Sequence, residues 1–167
     1  MRSGGRFVLD TSVFIEAHRR YYAFDICPGY WAALIAHQGS GRLCSIDRAR
    51  DELLAQTGAL SQWVQQRLPA RFFEATGDPS VTGWFGQIIA WVQVQPRFFP
   101  ASKQQFAAVA DPWLIAFAKA HGLVLATNEQ PAPVSRKEVK IPDVCNAFGV
   151  DYTDTFEMLR ALGARFQ

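Results

Sequence analysis

The chain has 167 residues and a formal net charge of +2 at pH 7, and 49% of its residues are hydrophobic and 13% aromatic. This composition excludes an intrinsically disordered chain, which is poor in both residue classes. The near-neutral charge neither requires nor excludes a nucleic-acid partner, because a small basic surface can exist within a near-neutral total. The length suits one domain, so we expect a single domain over residues 1–167.

The cysteines and the first residues indicate the compartment. Cys27, Cys44 and Cys145 are far apart and form no CxxC pair, so the sequence does not favour a zinc site and fits buried thiols in a reducing cytoplasm. Residues 1–6 lead directly into a short apolar strand, unlike a signal peptide. Apolar stretches stay below the ~18 residues that a membrane span needs. We therefore expect a cytoplasmic protein without a membrane span.

The first half of the chain predicts short strands that alternate with helices. The apolar run at 7–9 predicts a buried strand, and the polar residues after it predict the start of a helix over 13–20. Further along, hydrophobic spacing, glycines and capping residues predict a helix around 31–38, a strand at 42–46, a helix from 47 to about 55, a helix over 61–68 and a strand at 72–73.

The second half continues this alternation. Apolar residues at helical spacing predict a helix over 84–94, which Pro96 and Pro100 end. Asp111 and Pro112 suit the N-cap and first position of a buried helix over 113–121. The remaining patterns predict a strand at 123–126, a strand at 139–141, a short helix from Pro142 and a last helix capped by Asp154. The whole pattern predicts a three-layer α/β/α fold with a central parallel sheet.

Four acidic side chains occupy positions that can meet at the carboxyl ends of the strands, where such sheets bind ligands. Asp10 and Glu129 follow predicted strands, Asp111 heads the buried helix, and Glu52 lies on the helix that follows the second strand. Because Mg²⁺ and Mn²⁺ prefer hard oxygen ligands, these carboxylates predict a divalent-metal site. Neighbouring hydroxyls can bond a metal-bound water or fix a carboxylate rotamer: Thr11, Ser12 and Thr127.

Each acid also has a purely structural interpretation. Asp10 and Asp111 can serve as helix caps. Glu52 can point to solvent beside Arg48, one turn earlier on the same helix, and Glu129 can belong to a solvated turn. Taken alone, each acid leaves both interpretations open, and the ordered set of four carries the argument for a metal site.

The ordered set resembles the motifs of the PIN domain family. Residues 6–15, RFVLDTSVFI, resemble its first motif, an apolar strand ending in Asp and hydroxyl residues. DELL at 51–54 resembles the second acidic motif of the family. ADPWLIAFA at 110–118 resembles the third, and LATNE at 125–129 resembles the fourth. The resemblance covers essentially the whole chain, and the layout looks most like a bacterial PIN-like subfamily related to the toxin ribonucleases of toxin–antitoxin pairs.

This resemblance implies a PIN-like fold and a Mg²⁺- or Mn²⁺-dependent endoribonuclease that hydrolyses RNA phosphodiester bonds. Asp10 and Asp111 would be the central metal ligands, Glu52 would ligate the metal or orient a water, and Glu129 would hold a second metal or its waters. The supporting residues would be Thr11, Ser12, Thr127 and Asn128. Aspartate is commoner than glutamate at the fourth position, so Asn128 or a water is expected to share the role of Glu129.

The same resemblance implies an RNA substrate and an antitoxin protein as partners, and it leaves a homodimer open. The alternative function is a non-catalytic PIN-like module that binds RNA or protein. Basic residues near the predicted site are the candidate RNA-binding residues: Arg48, Arg50 and Lys140, the last in one group with Arg136 and Lys137. Ordinary solvated charge is the other interpretation of these residues.

Other phosphate-handling classes fit less well. A haloacid-dehalogenase-type phosphatase also starts with a strand that ends in Asp, but it needs a second Asp two residues later, where this chain has Ser12. The sequence contains neither the GxxxxGK[ST] phosphate loop nor the GxGxxG fingerprint.

Overall fold

A parallel sheet forms the centre of the protein. The structure, a computed structural model, describes residues 5–166. Over these residues five strands form one sheet in the order β3-β2-β1-β4-β5, and every neighbouring pair is parallel. The strands are β1 (Phe7–Leu9), β2 (Leu43–Ile46), β3 (Phe73–Glu74), β4 (Val124–Ala126) and β5 (Tyr152–Thr153).

Helices connect these strands. They are α1 (Thr11–Glu16), α2 (Pro28–Gly39), α3 (Asp47–Ala55), α4 (Ala59–Arg67), α5 (Pro79–Val94), α6 (Pro100–Ala108), α7 (Asp111–His121), α8 (Ile141–Phe148) and α9 (Thr155–Leu162). A π-helical turn, Ala17–Tyr21, continues α1, and a 3-10 turn, Ala70–Phe72, precedes β3. Between residues 5 and 166, no helix is both long and apolar enough to cross a membrane.

The sheet separates two hydrophobic cores. Successive side chains of a strand point to opposite faces, so Phe7 and Leu9 of β1 enter one core while Val8 enters the other. Helices α1, α2, α4 and α9 pack in the first core, and α5 to α8 pack in the second. Helix α3 spans the boundary, because Leu53 joins the first core and Ala49 the second. The predicted three-layer arrangement is therefore confirmed.

Strand β1 lies where the direction of chain growth reverses. The chain adds β2 and β3 on one side of β1 and then returns to place β4 and β5 on the other side. In the β1–β4 pair Leu9 lies beside Ala126, and the N–H of Asp10 donates to the carbonyl of Ala126 at 2.9 Å. Residues just after β1 and β4 are therefore adjacent at the carboxyl edge, at the crevice where such sheets bind ligands.

The strand predicted at 139–141 is wrong. Val139 and Lys140 lie in a loop, and Ile141 begins helix α8 with Pro142 in its first turn. The N–H of Ile141 donates to the carboxylate of Glu129 at 2.8 Å, a tertiary contact that local sequence does not reveal. The fifth strand is instead the two-residue β5, which is too short to give a hydrophobic pattern.

Helix α6 also differs from the prediction. Pro100 was expected to end the preceding helix, yet it also occupies the first turn of a new helix, where a missing N–H costs nothing. Only Ser102 and Phe106 of α6 are buried, and Phe106 is the only apolar one of the two. A single buried apolar residue gives no helical hydrophobic pattern from which the helix could be predicted.

The central packing leads to a stability prediction. Ile88 on α5 is 0% exposed, whereas Ile26 is 80% exposed. We expect Ile88→Ala to lower the free energy of unfolding by about 3 kcal/mol, because it removes buried surface and leaves a cavity. Ile26→Ala makes the same chemical change in solvent and should stay within about 0.5 kcal/mol of the parent. Urea unfolding measures both variants, and equal losses would contradict the assigned burial.

Candidate functional site

Asp10 is a buried carboxylate held by hydroxyl groups. It is 3% exposed and occupies the N-cap position of α1. Its Oδ2 accepts from the hydroxyls of Ser12 at 2.7 Å and Thr127 at 2.9 Å, and its Oδ1 accepts a long bond of 3.4 Å from Thr11. The three hydroxyls that the sequence placed beside the acids therefore fix one carboxylate, and this favours a role for Asp10 beyond helix capping.

The segment after β4 is bonded to the same hydroxyls. The N–H of Asn128 donates to Ser12 Oγ at 3.0 Å, and the N–H of Glu129 donates to Thr127 Oγ1 at 3.1 Å. Each hydroxyl thus accepts from the β4 loop and donates to Asp10. The hydroxyls of Ser12 and Thr127 thus link the segment after β1 to the segment after β4. These two links fix the position of Glu129 relative to Asp10.

Asn128 joins three segments. Its Oδ1 accepts from the hydroxyl of Thr155 at 2.8 Å, and its Nδ2 donates to the carbonyl of Ser12 at 3.4 Å. Both ends of the amide are therefore bonded to α9 and to the segment after β1. This contact set supports a positioning role for Asn128, whereas sharing a ligand role with Glu129 would require the amide to leave these partners.

The two glutamates each accept from a backbone N–H group. Glu52 Oε1 accepts from Ala110 at 2.7 Å, and Glu129 Oε2 accepts from Ile141 at 2.8 Å. Ala110 precedes α7 and Ile141 begins α8, so each glutamate ties its own segment to the start of another helix. Glu52 and Glu129 therefore have defined contacts with the protein, unlike the side chains of a solvated helix face or turn.

Asp111 lies among the other three acids. It is the first residue of α7, and the N-cap of that helix is Ala110, so the predicted cap at Asp111 is wrong. Burial raises the pKa of Asp111 to about 8, and the negative charges of the other three acids add to the rise while Lys140 opposes it. The four carboxylates from four segments therefore lie close enough to repel one another.

The remaining three acids feel the same environment. Burial raises the pKa of Asp10, against the lowering effect of its hydroxyl partners. Burial also raises the pKa of Glu52 and of Glu129, and the charge of Asp10 raises both values further. A backbone N–H that donates to each glutamate has the opposite effect and lowers its pKa. At neutral pH the cluster therefore favours taking up protons or a cation.

The chemistry of this donor set fits a hard divalent cation. All four acids offer oxygen, the donor that Mg²⁺ and Mn²⁺ prefer. Within residues 5–166, no three Asp, Glu, His or Cys side chains are arranged so that they could hold a metal ion as they stand. One oxygen of each of Asp10, Glu52 and Glu129 is engaged by protein donors, so an ion shared by these acids would use the opposite oxygens and would need the acids to move closer together. Metal binding therefore stays a prediction.

A cavity of about 490 Å³ opens at the acids. Its walls come from the end of α3, from α6 and from the loop before α8. The residues that line it are Glu52, Ala55, Gln56, Ser102, Gln105, Phe106, Val109, Asp111, Glu129, Lys137, Glu138, Val139 and Lys140. Three of the four acids thus face a space large enough for a ligand of small-molecule size.

The predicted basic residues differ in their positions. Lys140 lines the cavity and pairs with Glu138 at 3.0 Å. Arg48 lies one helical turn before Glu52, with its guanidinium 3.8 Å from the ring centre of Trp113. Arg50 is two positions from Glu52, and residues with that spacing do not share a helix face. Of the predicted basic residues, Lys140 thus lines the cavity with three of the acids, and Arg48 shares a helix face with Glu52.

The sequence did not predict the two uncharged polar side chains that line the cavity together with the acids. Gln56 ends α3, and Gln105 lies on α6, and both side chains line the cavity. Because α6 itself was not predicted, its cavity-facing residues could not be identified. An isolated glutamine carries no motif, so the sequence held no signal for either residue.

Comparisons with known proteins agree with this architecture. The family described as "Domain of unknown function (DUF4411)" matches residues 7–166. Curated proteins gave no significant match. The crystal structure of FitAcB from Neisseria gonorrhoeae is similar at a TM-score of 0.50 and 17% sequence identity, over 87% of this chain and 95% of that chain. At this identity the likeness concerns the fold alone, which is PIN-like.

The repulsion among the acids leads to a pH prediction. The pKa of Asp111 is about 8 against an ordinary 3.8. The folded state therefore binds more protons than the unfolded state between these values, and the free energy of unfolding falls as pH rises from about 4 to about 8. Asp111→Asn removes this charge. At pH 8 without metal it should raise the free energy of unfolding by about 2 kcal/mol, and Tm by about 4–8 °C.

Calorimetry in EDTA at pH 5 and pH 8 measures this effect. Asp51→Asn is the matched control, because Asp51 is an exposed acid beside Glu52 on α3. Asp51→Asn should keep the pH dependence of the parent and Asp111→Asn should flatten it. Identical pH dependence in the parent and Asp111→Asn would show that Asp111 does not feel the cluster.

Proposed function

Starting from the finding that the chain belongs to the family described as domain of unknown function DUF4411, we propose that it is a Mg²⁺- or Mn²⁺-dependent endoribonuclease. The observation that carries the proposal is the meeting of Asp10, Glu52, Asp111 and Glu129 at the carboxyl edge of the sheet, beside a cavity. The family description assigns no activity, so the proposal depends on this site.

The physical argument begins with the energy of the cluster. Two unit charges ~4 Å apart repel by roughly 4 kcal/mol at an effective dielectric constant near 20. Burial raises the pKa of each of the four acids, and the charges of neighbouring acids add to the rise for Glu52, Asp111 and Glu129. A divalent cation would neutralise this charge and would turn an unfavourable cluster into a stabilising one.

The contacts of the acids indicate which oxygens are available to a cation. Glu52 binds a backbone N–H through Oε1 and Glu129 through Oε2, so the opposite oxygen of each is the available one. For Asp10 the more weakly bonded oxygen is Oδ1, whose bond from Thr11 is 3.4 Å long. Asp111 lies among these three and would share the cation with them. Bound Mg²⁺ or Mn²⁺ would supply an activated water and stabilise the leaving oxygen.

The protein's own groups would place the RNA backbone. Lys140 lies on the cavity, and its pKa is raised because its hydrogen bond to Glu138 and the charges of Glu129 and Asp111 outweigh the lowering effect of burial. It therefore stays charged and can bind a phosphate oxygen. Arg48, held over Trp113 near Glu52, offers a second positive charge.

The biological role is proposed from the motif resemblance and the fold. The resemblance to toxin ribonucleases supports this chain as the toxin component of a toxin–antitoxin pair. The PIN-like fold that it shares with FitAcB is compatible with that role. An antitoxin protein would then restrain the enzyme.

A second function, a non-catalytic module that binds RNA or protein, is supported by one observation. Asp10, Glu52 and Glu129 all bond to groups of the protein and so contribute to the fold. In such a module the acids would be retained for these contacts. Metal binding and RNA cleavage distinguish the two functions.

Metal binding should stabilise the protein. At a free Mn²⁺ concentration 100 times Kd, linkage adds about 2.7 kcal/mol to the free energy of unfolding, which corresponds to roughly 5–11 °C in Tm for a chain of this size. Asp10→Asn and Asp111→Asn should lose this increment, whereas Asp51→Asn should keep it. A thermal shift titration measures the effect. An absent shift in the parent, or an equal shift in Asp111→Asn, would remove the metal site.

Cleavage should depend on the same residues. Purified protein with Mn²⁺ should cut single-stranded RNA internally, and Asp10→Asn or Asp111→Asn should reduce the rate by about 100-fold or more, because several kcal/mol of charge stabilisation is lost. The Asp51→Asn variant should cut at the parental rate. Gel analysis of end-labelled RNA measures the products, and cleavage that persists in both site variants would overturn the nuclease proposal.

A further inference from the structure

The cavity at the acids extends beyond them to α6. Its volume of about 490 Å³ lies within the roughly 300–1,000 Å³ of small-molecule sites. A space of this size holds one nucleotide, whereas a stacked duplex needs an open groove. A chain that enters with its phosphate at the acids must therefore place an unstacked base against the remaining walls.

Two primary amides stand at the α3 and α6 walls. Gln56 and Gln105 both line the cavity and both are exposed, so their amides are accessible to a ligand. A glutamine offers a donor and an acceptor side by side, which is the arrangement that pairs with the edge of a base. Phe106 and Val109 add apolar surface to the same cavity, which suits the ring of a base.

The cavity walls are bonded to one another. Ser102 on α6 is 7% exposed, and its hydroxyl lies 3.1 Å from the carbonyl of Arg136 and 2.7 Å from that of Lys137. The N–H of Phe99 also donates to the carbonyl of Arg136, at 3.1 Å. Helix α6 is therefore fixed to the loop that carries the two cavity lysines, and the cavity is formed before any ligand enters.

Charge is distributed unevenly around this cavity. The acids Glu52, Asp111 and Glu129 occupy one part of the lining, and the loop before α8 contributes Lys137, Lys140 and also Glu138, which pairs with Lys140 at 3.0 Å. The two glutamines are neutral. A nucleotide would therefore place its phosphate between the lysines and a cation bound at the acids, while its uncharged base meets the amides.

The geometry points to a base-reading pocket, in which Gln56 and Gln105 bind the base of one unpaired nucleotide next to the phosphate held at the acids. This inference rests on the proposed function, since it specifies how the same site selects single-stranded RNA. Gln56 and Gln105 would set the base preference of the enzyme, and Ser102 would keep α6 in place.

Binding to RNA without cleavage tests the pocket. Parent protein with Ca²⁺, which takes oxygen ligands as Mg²⁺ does and can occupy the acids, is titrated by fluorescence anisotropy with labelled single-stranded homopolymers of A, C and U, with their duplexes, and with an oligomer of abasic ribose phosphates, and gels check that the RNA stays intact. We expect single strands to bind more tightly than duplexes, and the best homopolymer to bind about 10-fold or more tighter than the worst. Adding Gln56→Ala and Gln105→Ala should bring that ratio close to one while affinity for the abasic oligomer stays unchanged.

Gln104→Ala is the matched control, because Gln104 is an exposed glutamine of α6 that lies outside the cavity lining. The control should keep the full base preference. The inference is overturned if the double variant discriminates bases as well as the control does, if duplexes bind as tightly as single strands, or if the double variant loses affinity for the abasic oligomer to the same extent.

The same data separate the pocket from the nuclease proposal. Parent protein that cuts RNA while the glutamine variants keep its base preference would overturn the pocket alone. Protein that discriminates bases through the glutamines but does not cut RNA would uphold the pocket and overturn the nuclease.

Discussion

The protein depends on holding four carboxylates at one edge of a parallel sheet against their mutual repulsion. What opposes the repulsion is a specific hydrogen bond for nearly every acid: hydroxyls for Asp10, and a backbone N–H for each of Glu52 and Glu129. Hydrogen bonds to a charged acceptor are stronger than neutral ones. The acids therefore also connect segments that are far apart in sequence, so the site and the local fold stabilise each other.

The sheet topology explains why these segments meet. Because chain growth reverses at β1, the ends of β1 and β4 are adjacent, and α3 comes from β2 on the other side of β1. Helix α7 runs back along the sheet to feed β4, so its first residue, Asp111, lies at the same edge as the end of β1. A parallel sheet places the carboxyl ends of all its strands at one edge. This arrangement alone brings the segments that carry the four acids together.

The sequence predicted those parts of the fold that local chemistry determines. The strand before Asp10, the buried helix α7 and the cap at Asp154 all have local causes, and the structure contains each of them. The failures have tertiary causes. The Val-Lys-Ile sequence before Pro142 resembled a strand, but Ile141 begins helix α8 and its N–H donates to Glu129. The glutamines of the cavity depend on where α6 packs, which local sequence does not state.

The glutamate at position 129 has a physical explanation in the same contact. The PIN-like pattern more often has an aspartate there, and glutamate is longer by one methylene. In this protein the extra length lets the carboxylate accept from the N–H of Ile141 at 2.8 Å while its own N–H donates to Thr127. One residue thereby joins the β4 loop to the first turn of α8, where a negative charge is also favourable. The loop that ends at this contact carries Lys140, so Glu129 also ties the acids to the loop that brings the cavity lysines.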